Sequence, residues 1–238
     1  VAHGWWTIEG EKMSKSIGNV IAPKDLIEEF GLDQTRYFLM REVPFGNDGN
    51  FSRTAMVERI NSDLANNIGN LAQRTLSMIQ KNCHGVVPQV TALTEADEKL
   101  LDEAQVTPVK IQETKTRIEQ HIMSFRFDVI AEDILKIASC ANEYIDTQAP
   151  WKLKEDTARR DTVLYTLSEA VRCIAIMLQP FMPESSKKIL LQLGYTESDF
   201  DNKCGGIPFE QLSSEFALES GTNLPAPQGV FPRIEVKK

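Results

Sequence analysis

The hydrophobic positions of the chain follow two different periods, and the change between them falls near residue 50. Residues 1–8 are rich in β-branched and aromatic side chains, which predicts a strand. From Ser52 onward, apolar residues recur every three or four positions, the period of an amphipathic helix. The first such stripe is Val57, Ile60, Leu64, Ile68, Leu71, Thr75 and Ile79. The pattern predicts a mainly α chain that begins with a short α-β segment.

Helix signals and a loop divide the first 50 residues. A turn at residues 9–11 follows the predicted strand, and a helix is expected from Pro23, in its first turn, to Phe30, just before Gly31. Asp33 is expected to be the N-cap of a second short helix. Residues 44–50 contain Pro, Gly, Asn and Asp, which predicts a loop. We place the first domain boundary there, giving a segment 1–50.

Further helices are predicted in residues 51–203. One helical region starts at Thr94, whose spacing to Asp97 resembles a capping box, and continues to about Met123 with a break or kink at Pro108. Two more stripes are Phe127, Ile130, Ile134, Ala138, Ala141 and Ile145, and Leu164, Leu167, Val171, Ile174 and Leu178. A last helix is expected from Pro183 to Leu193. Short connections predict an antiparallel helix bundle, followed at 204–238 by an irregular tail that packs back on the body.

Composition narrows the class of protein. The 238 residues are 42% hydrophobic and 25% charged, as in ordinary globular domains. The longest uncharged apolar run, 173–178, is far shorter than the roughly 18 residues that span a bilayer, and no secretory signal pattern is present, so no membrane partner is expected. The chain begins with Val1 rather than Met, which suggests a processed product or the back part of a longer chain.

The cysteines and the net charge indicate the compartment and the kind of partner. Cys83, Cys140, Cys173 and Cys204 are widely spaced and form no C-x-x-C pair, so reduced thiols and no metal site are expected, in a cytoplasmic protein or, as the alternative, one of an organelle matrix. The net charge of −8 provides no general attraction for polyanions. Any nucleic-acid binding must therefore use a local patch.

Two groups of residues are candidates for function. The first is Lys12-Met13-Ser14-Lys15-Ser16, in which two ammonium groups and two hydroxyls follow a strand and a turn. Such groups can bind the oxygens of a triphosphate and stabilise charge on departing pyrophosphate, although a short basic segment of this kind can also be a solvated turn.

The second group is Asn70 and Arg74, which share a helix face with Asn66, together with Trp151 at a corner between two helices. Asn and Arg can read base edges, and an exposed Trp can stack on an unpaired base. A solvated helix face and a packed core tryptophan are the alternatives that the pattern alone leaves open.

A family resemblance connects the two groups. The 12–16 pentapeptide resembles the second signature of class I aminoacyl-tRNA synthetases, and the surrounding chain is similar to the methionyl branch at 37–46, 70–74, 149–151 and 231–235. The resemblance extends over essentially the whole chain. It implies that segment 1–50 is the end of a Rossmann-type catalytic domain with its connecting α-β segment, and that 51–203 binds the anticodon.

The resemblance also implies roles for individual residues. Lys15 and Lys12 would be catalytic and would bind the phosphates of ATP together with Ser14 and Ser16, with Mg²⁺ entering as the ATP complex. The implied reaction joins methionine to AMP and then to the 3′ end of tRNA.

In the second group the resemblance implies that Asn70, Arg74 and Trp151 read the CAU anticodon of a methionine tRNA. No H-x-G-H signature occurs in the chain. Its implied partners are therefore tRNA, methionine, ATP and an N-terminal half of the same enzyme. A non-catalytic RNA-binding module with a vestigial loop, and a different class I synthetase, are the competing hypotheses.

Overall fold

Helices make up most of the chain, and a small three-stranded sheet lies at the front. A computed structural model describes residues 4–104, 108–202 and 205–235, without the side chains of 108–111. The strands are β1 (Trp6–Ile8), β2 (Glu11–Lys12) and β3 (Gly49–Phe51). The helices are α1 (Pro23–Phe30), α2 (Leu32–Arg41), α3 (Arg53–Arg59), α4 (Asn70–Asn82), α5 (Glu95–Glu103), α6 (Pro108–Met123), α7 (Phe127–Gln148), α8 (Thr157–Leu178) and α9 (Pro183–Gln192).

The sheet joins the two ends of the front segment. β1 pairs antiparallel with β2 and parallel with β3, so that Thr7 lies opposite both Lys12 and Asn50. The prediction that residues 44–50 form a loop is therefore wrong for its last two residues, which belong to β3. Local composition could not show this, because a three-residue strand is defined by its partner. A Cβ atom at Gly49 would lie 2.7 Å from Cγ2 of Val43 and 3.0 Å from the Trp6 ring, so any larger residue would force these side chains to shift. Of the predicted strand at 1–8, residues 1–3 lie outside the described residues.

A long continuous helix follows β3. The Ser52 side chain caps it by accepting a hydrogen bond from the Ala55 amide. The helix runs through α3, a π-helical stretch at Ile60–Gly69 and α4. Every residue of the predicted first stripe is buried, which confirms the helical period. The π-helical middle was not predicted.

The prediction for Asp33 is wrong. Gly31, not Asp33, precedes α2, and Asp33 is a buried residue in the first turn of that helix. Its Oδ2 atom accepts a hydrogen bond of 2.6 Å from the Ser185 amide at the start of α9. Asp33 therefore caps a helix that lies 152 positions further along the chain. The guanidinium of Arg36 strengthens this junction by donating to the carbonyls of Phe181 and Pro180.

The remaining helices agree with the sequence pattern. The capping box at Thr94 and Asp97 is confirmed, and Pro108 begins α6 rather than lying within a helix. The stripes of α7 and α8 are buried, except that Phe127 is only partly buried. Helix α8 is buried on almost all sides and forms the centre of the core.

The tail lies over this central helix and is joined to it by a buried ion pair. Residues 205–235 contain short 3₁₀ turns and an isolated β-bridge between Asn223 and Val86. Glu169 of α8 pairs with Arg172 at 2.8 Å and accepts a hydrogen bond from the Leu218 amide at 2.6 Å. The Arg172 guanidinium in turn donates to the backbone carbonyls of Gln211 and Leu212. The buried charges are thus satisfied by the chain segment that they hold in place.

Candidate functional site

The basic pentapeptide forms a closed loop after β2. The side chain of Asn19 binds the loop at two points: Oδ1 accepts a hydrogen bond from the Ser14 amide at 2.7 Å, and Nδ2 donates to the Lys12 carbonyl at 3.1 Å. The hydroxyls of Ser14 and Ser16 lie 2.7 Å apart, within hydrogen-bond distance. Asn19 is not among the candidate residues that the sequence pattern singled out. A single Asn that binds a loop through its carboxamide leaves no periodic pattern in the sequence, so the sequence does not indicate this role.

The loop presents its charges to solvent. Lys12, Lys15 and Ser16 are exposed, while Ser14 is half-buried. The Lys12 ammonium lies 5.4 Å from the centroid of the Trp5 ring, which is itself 72% exposed. Lys15 forms no ion pair with any residue that the structure describes. An exposed lysine without a carboxylate partner is free to neutralise an incoming phosphate, because no competing ion pair must be broken first.

The second candidate group comes together at the corner between α7 and α8. Ala149 adopts a left-handed conformation with a φ of 44°, and the 3₁₀ turn Pro150–Lys152 follows it. This corner leaves the Trp151 ring 43% exposed, so the indole is not part of the buried core. The Arg74 guanidinium lies over that ring, 5.5 Å from its centroid. The same guanidinium donates to Oδ1 of Asp146 at 2.7 Å.

Asn70 lies one helical turn before Arg74 and is exposed. It lines a cavity of about 410 Å³ with Asn66 and Gln73, and the tail closes the opposite wall at residues 229–231. The structure therefore brings Arg74 and Trp151 into contact and places Asn70 beside them along the helix. It also adds Asp146, which the sequence pattern did not single out. The loop at residues 12–18 belongs to a different part of the fold and does not join this group.

Other reactive side chains are placed where they are inert. Burial raises the pKa of the Cys83 and Cys173 thiols to about 12, so both stay protonated at neutral pH. Cys204 lies outside the described residues. Across residues 4–104, 108–202 and 205–235, no group of three His, Cys, Asp or Glu side chains is arranged to hold a metal ion. In the same residues, none of the helices is both long enough and apolar enough to cross a bilayer.

Comparisons with known proteins agree with this arrangement. A family described as tRNA synthetases class I (M) matches residues 1–76, and one described as the anticodon binding domain of methionyl tRNA ligase matches residues 87–238. Methionine–tRNA ligases of Mesorhizobium japonicum and Brucella melitensis are 47% and 48% identical to the chain. Each alignment covers 98% of this chain and 42% of the relative. The chain thus spans less than half the length of these relatives.

Solved structures show the same similarity in three dimensions. The methionyl-tRNA synthetase of Mycobacterium tuberculosis in complex with methionyl-adenylate superposes with a TM-score of 0.86 at 44% identity, over 98% of this chain and 43% of that one. The apo form of that enzyme gives a TM-score of 0.81 at 40% identity, over 99% and 44% of the two chains. On the combined evidence of the loop, the helical surface and these matches, the chain belongs to the methionyl-tRNA ligase family of class I aminoacyl-tRNA synthetases.

Proposed function

We propose that this chain supplies two parts of a methionine–tRNA ligase: the loop that binds the ATP phosphates and the helical surface that recognises the tRNA anticodon. The observation that carries the proposal is that one chain exposes both groups of residues, the Lys15 loop at its front and the Arg74–Trp151 contact on its helices. An enzyme that activates an amino acid and selects its tRNA needs both.

In the first step, the carboxylate of methionine attacks the α-phosphate of ATP. The bond to the bridging oxygen breaks, and pyrophosphate leaves with the negative charge. Lys15 is the residue best placed to neutralise that charge, because it is exposed and has no ion pair in the described part of the chain. Lys12 would add a second cation, while the Ser14 and Ser16 hydroxyls would donate to phosphate oxygens. The catalytic effect of these groups is electrostatic and depends on their positions.

Mg²⁺ would arrive on the nucleotide rather than on a protein site. The loop contributes cations and hydroxyls, which suit phosphate oxygens, whereas Mg²⁺ prefers carboxylate, carbonyl and water oxygens. When bound, the ion would neutralise part of the phosphate charge. In the second step, a hydroxyl at the tRNA 3′ end attacks the methionyl carbonyl and AMP leaves.

Recognition of tRNA would use Asn70, Arg74 and Trp151. The exposed indole offers a platform for an unpaired base, and such stacking contributes about 1–3 kcal/mol per base. Asp146 holds the Arg74 guanidinium in place by the hydrogen bond of 2.7 Å, so that its remaining N–H donors can meet a base edge. Loop bases require few phosphate contacts, which makes the net charge of −8 compatible with binding.

The proposed function indicates which part of the enzyme each segment of the fold would form. The sheet and the loop in residues 1–50 would be the end of a Rossmann-type catalytic domain, residues 51–203 an antiparallel anticodon-binding bundle, and residues 204–238 an irregular tail that packs back on the body. The methionine pocket and the first ATP signature would come from an N-terminal half, and the enzyme would work in the cytoplasm.

Reconstitution with an N-terminal half tests the proposal. Family membership excludes a different class I synthetase, which leaves a non-catalytic RNA-binding module as the rival. The chain would be combined with the part of the M. japonicum ligase that it does not cover, and charging of methionine tRNA would be measured. We expect charging only with both pieces, and its loss when the chain carries Lys15→Ala. Binding of tRNA without charging by the stable complex would favour the rival.

A further inference from the structure

A second cavity lies against Trp151, apart from Arg74. Its volume is about 370 Å³, within the range of roughly 300–1,000 Å³ typical of ligand sites. We call it the lysine cavity; its lining is Met78, Lys81, Asn82, Pro150, Trp151, Leu153, Lys154 and Arg160. Arg74, which lies over the indole of Trp151, is not among these lining residues.

The charges around the lysine cavity are not neutralised within the protein. Lys81 and Lys154 line it and Lys152 is next to Trp151; all three are exposed and form no ion pair with a described residue. Arg160 differs, because its guanidinium donates to Oδ1 of Asp161 and to the Asn82 carbonyl.

None of the residues that line the lysine cavity carries a carboxylate. Asp146 pairs with Arg74 and Asp161 pairs with Arg160. Asp156 caps α8 by accepting from the Arg159 amide, and Glu155 is exposed; neither lines the cavity. A chain with a net charge of −8 thus keeps a positive pocket beside its exposed tryptophan.

We propose that the lysine cavity binds the backbone phosphate of a nucleotide next to the base that stacks on Trp151, with Lys81 and Lys154 as the phosphate ligands. The inference rests on the proposed anticodon recognition and adds to it a site of different chemistry. A lysine ammonium is a mobile point charge that suits a phosphate oxygen and carries no base information. The cavity therefore sets the register of the RNA strand on the protein, while Asn70, Arg74 and Trp151 read its bases.

The test is the salt dependence of RNA binding by the 238-residue chain. An RNA hairpin with a CAU loop and a second hairpin with a changed loop are titrated by fluorescence anisotropy at several salt concentrations. The variant is Lys81→Ala with Lys154→Ala. The matched control is Lys136→Ala with Lys188→Ala, which removes the same charge from exposed positions on α7 and α9 that do not line the cavity.

Each phosphate contact to a single strand contributes about −0.7 to the slope of log K against log salt. Loss of this one phosphate contact should therefore reduce the slope by about 0.7. Binding at 0.1 M salt, one decade below 1 M, should weaken roughly 5-fold. We expect the same factor for both hairpins and little change in the control.

Two results would overturn the inference: a slope and a dissociation constant equal to those of the control, or a loss confined to the CAU hairpin with an unchanged slope. Failure of the proposed function is a separate outcome, because the unmodified chain would then bind both hairpins equally.

Discussion

The exposed tryptophan at the corner between α7 and α8 offers the most direct test of RNA recognition. In Trp151→Ala the indole is removed, while Arg74 remains tethered by its hydrogen bond of 2.7 Å to Asp146. The variant therefore deletes the stacking platform without releasing the guanidinium beside it. Trp151→Phe is the conservative companion, because a phenyl ring still offers a flat apolar face.

The expected effects on binding and on stability differ in size. Loss of base stacking costs about 1–3 kcal/mol, which corresponds to roughly 5- to 150-fold in the dissociation constant. Truncation of a buried aromatic residue destabilises a protein by about 3–5 kcal/mol. Because the Trp151 side chain is 43% exposed, we expect its removal to lower the free energy of unfolding by about 2 kcal/mol at most.

Two measurements on the same preparations separate these effects. Anisotropy titration with the CAU hairpin gives the dissociation constant, and urea unfolding gives stability. We expect Trp151→Ala to raise the dissociation constant for the CAU hairpin by roughly 5- to 150-fold, and Trp151→Phe to raise it much less. An unchanged dissociation constant together with a stability loss above 3 kcal/mol would show that the indole serves packing, and the assignment would fail.

Three further predictions concern other parts of the chain. In the reconstituted enzyme, Lys15→Ala should slow pyrophosphate exchange by about 10²–10³ with little effect on methionine binding. The control Lys24→Ala should change neither quantity. Near-normal exchange in Lys15→Ala would refute the phosphate role. Asp33→Ala removes the acceptor for the Ser185 amide and should lower the free energy of unfolding by about 1–2 kcal/mol, so an unchanged urea midpoint would contradict the capping role. Burial opposes ionisation of Asp97, but hydrogen bonds from Arg159, Thr94 and Tyr144 outweigh it and lower its pKa from 3.8 to about 2. Because the folded-state pKa lies below the unfolded value, the stabilisation is present above about pH 4 and is lost as the pH falls toward 2. In Asp97→Asn the free energy of unfolding should therefore fall by about 1–2 kcal/mol less over this pH range than in the unmodified chain. Identical acid-unfolding profiles would contradict this role of Asp97.

Local pattern was enough to locate the helices. The stripe from Val57 to Ile79 has the helical period, and burial of all its members follows from that period alone. Helix α1 was predicted with both of its ends, because Pro in the first turn and Gly just past the end act within a few residues. The loop residues Lys12 to Ser16 were likewise found from their order in the chain. These features depend on near neighbours, which a sequence displays directly.

Only the tertiary structure decided which distant groups meet. Asp33 was assigned to its own helix, yet the packing of α2 against α9 directs its carboxylate to the Ser185 amide. The strand β3 exists because β1 lies beside it. Arg74, Asp146 and Trp151 are separated by up to 77 positions, and it is the turn after α7 that sets the indole under the guanidinium. Hydrogen bonds and ring contacts fall off within a few ångströms, so their partners are determined by the fold and not by spacing along the chain.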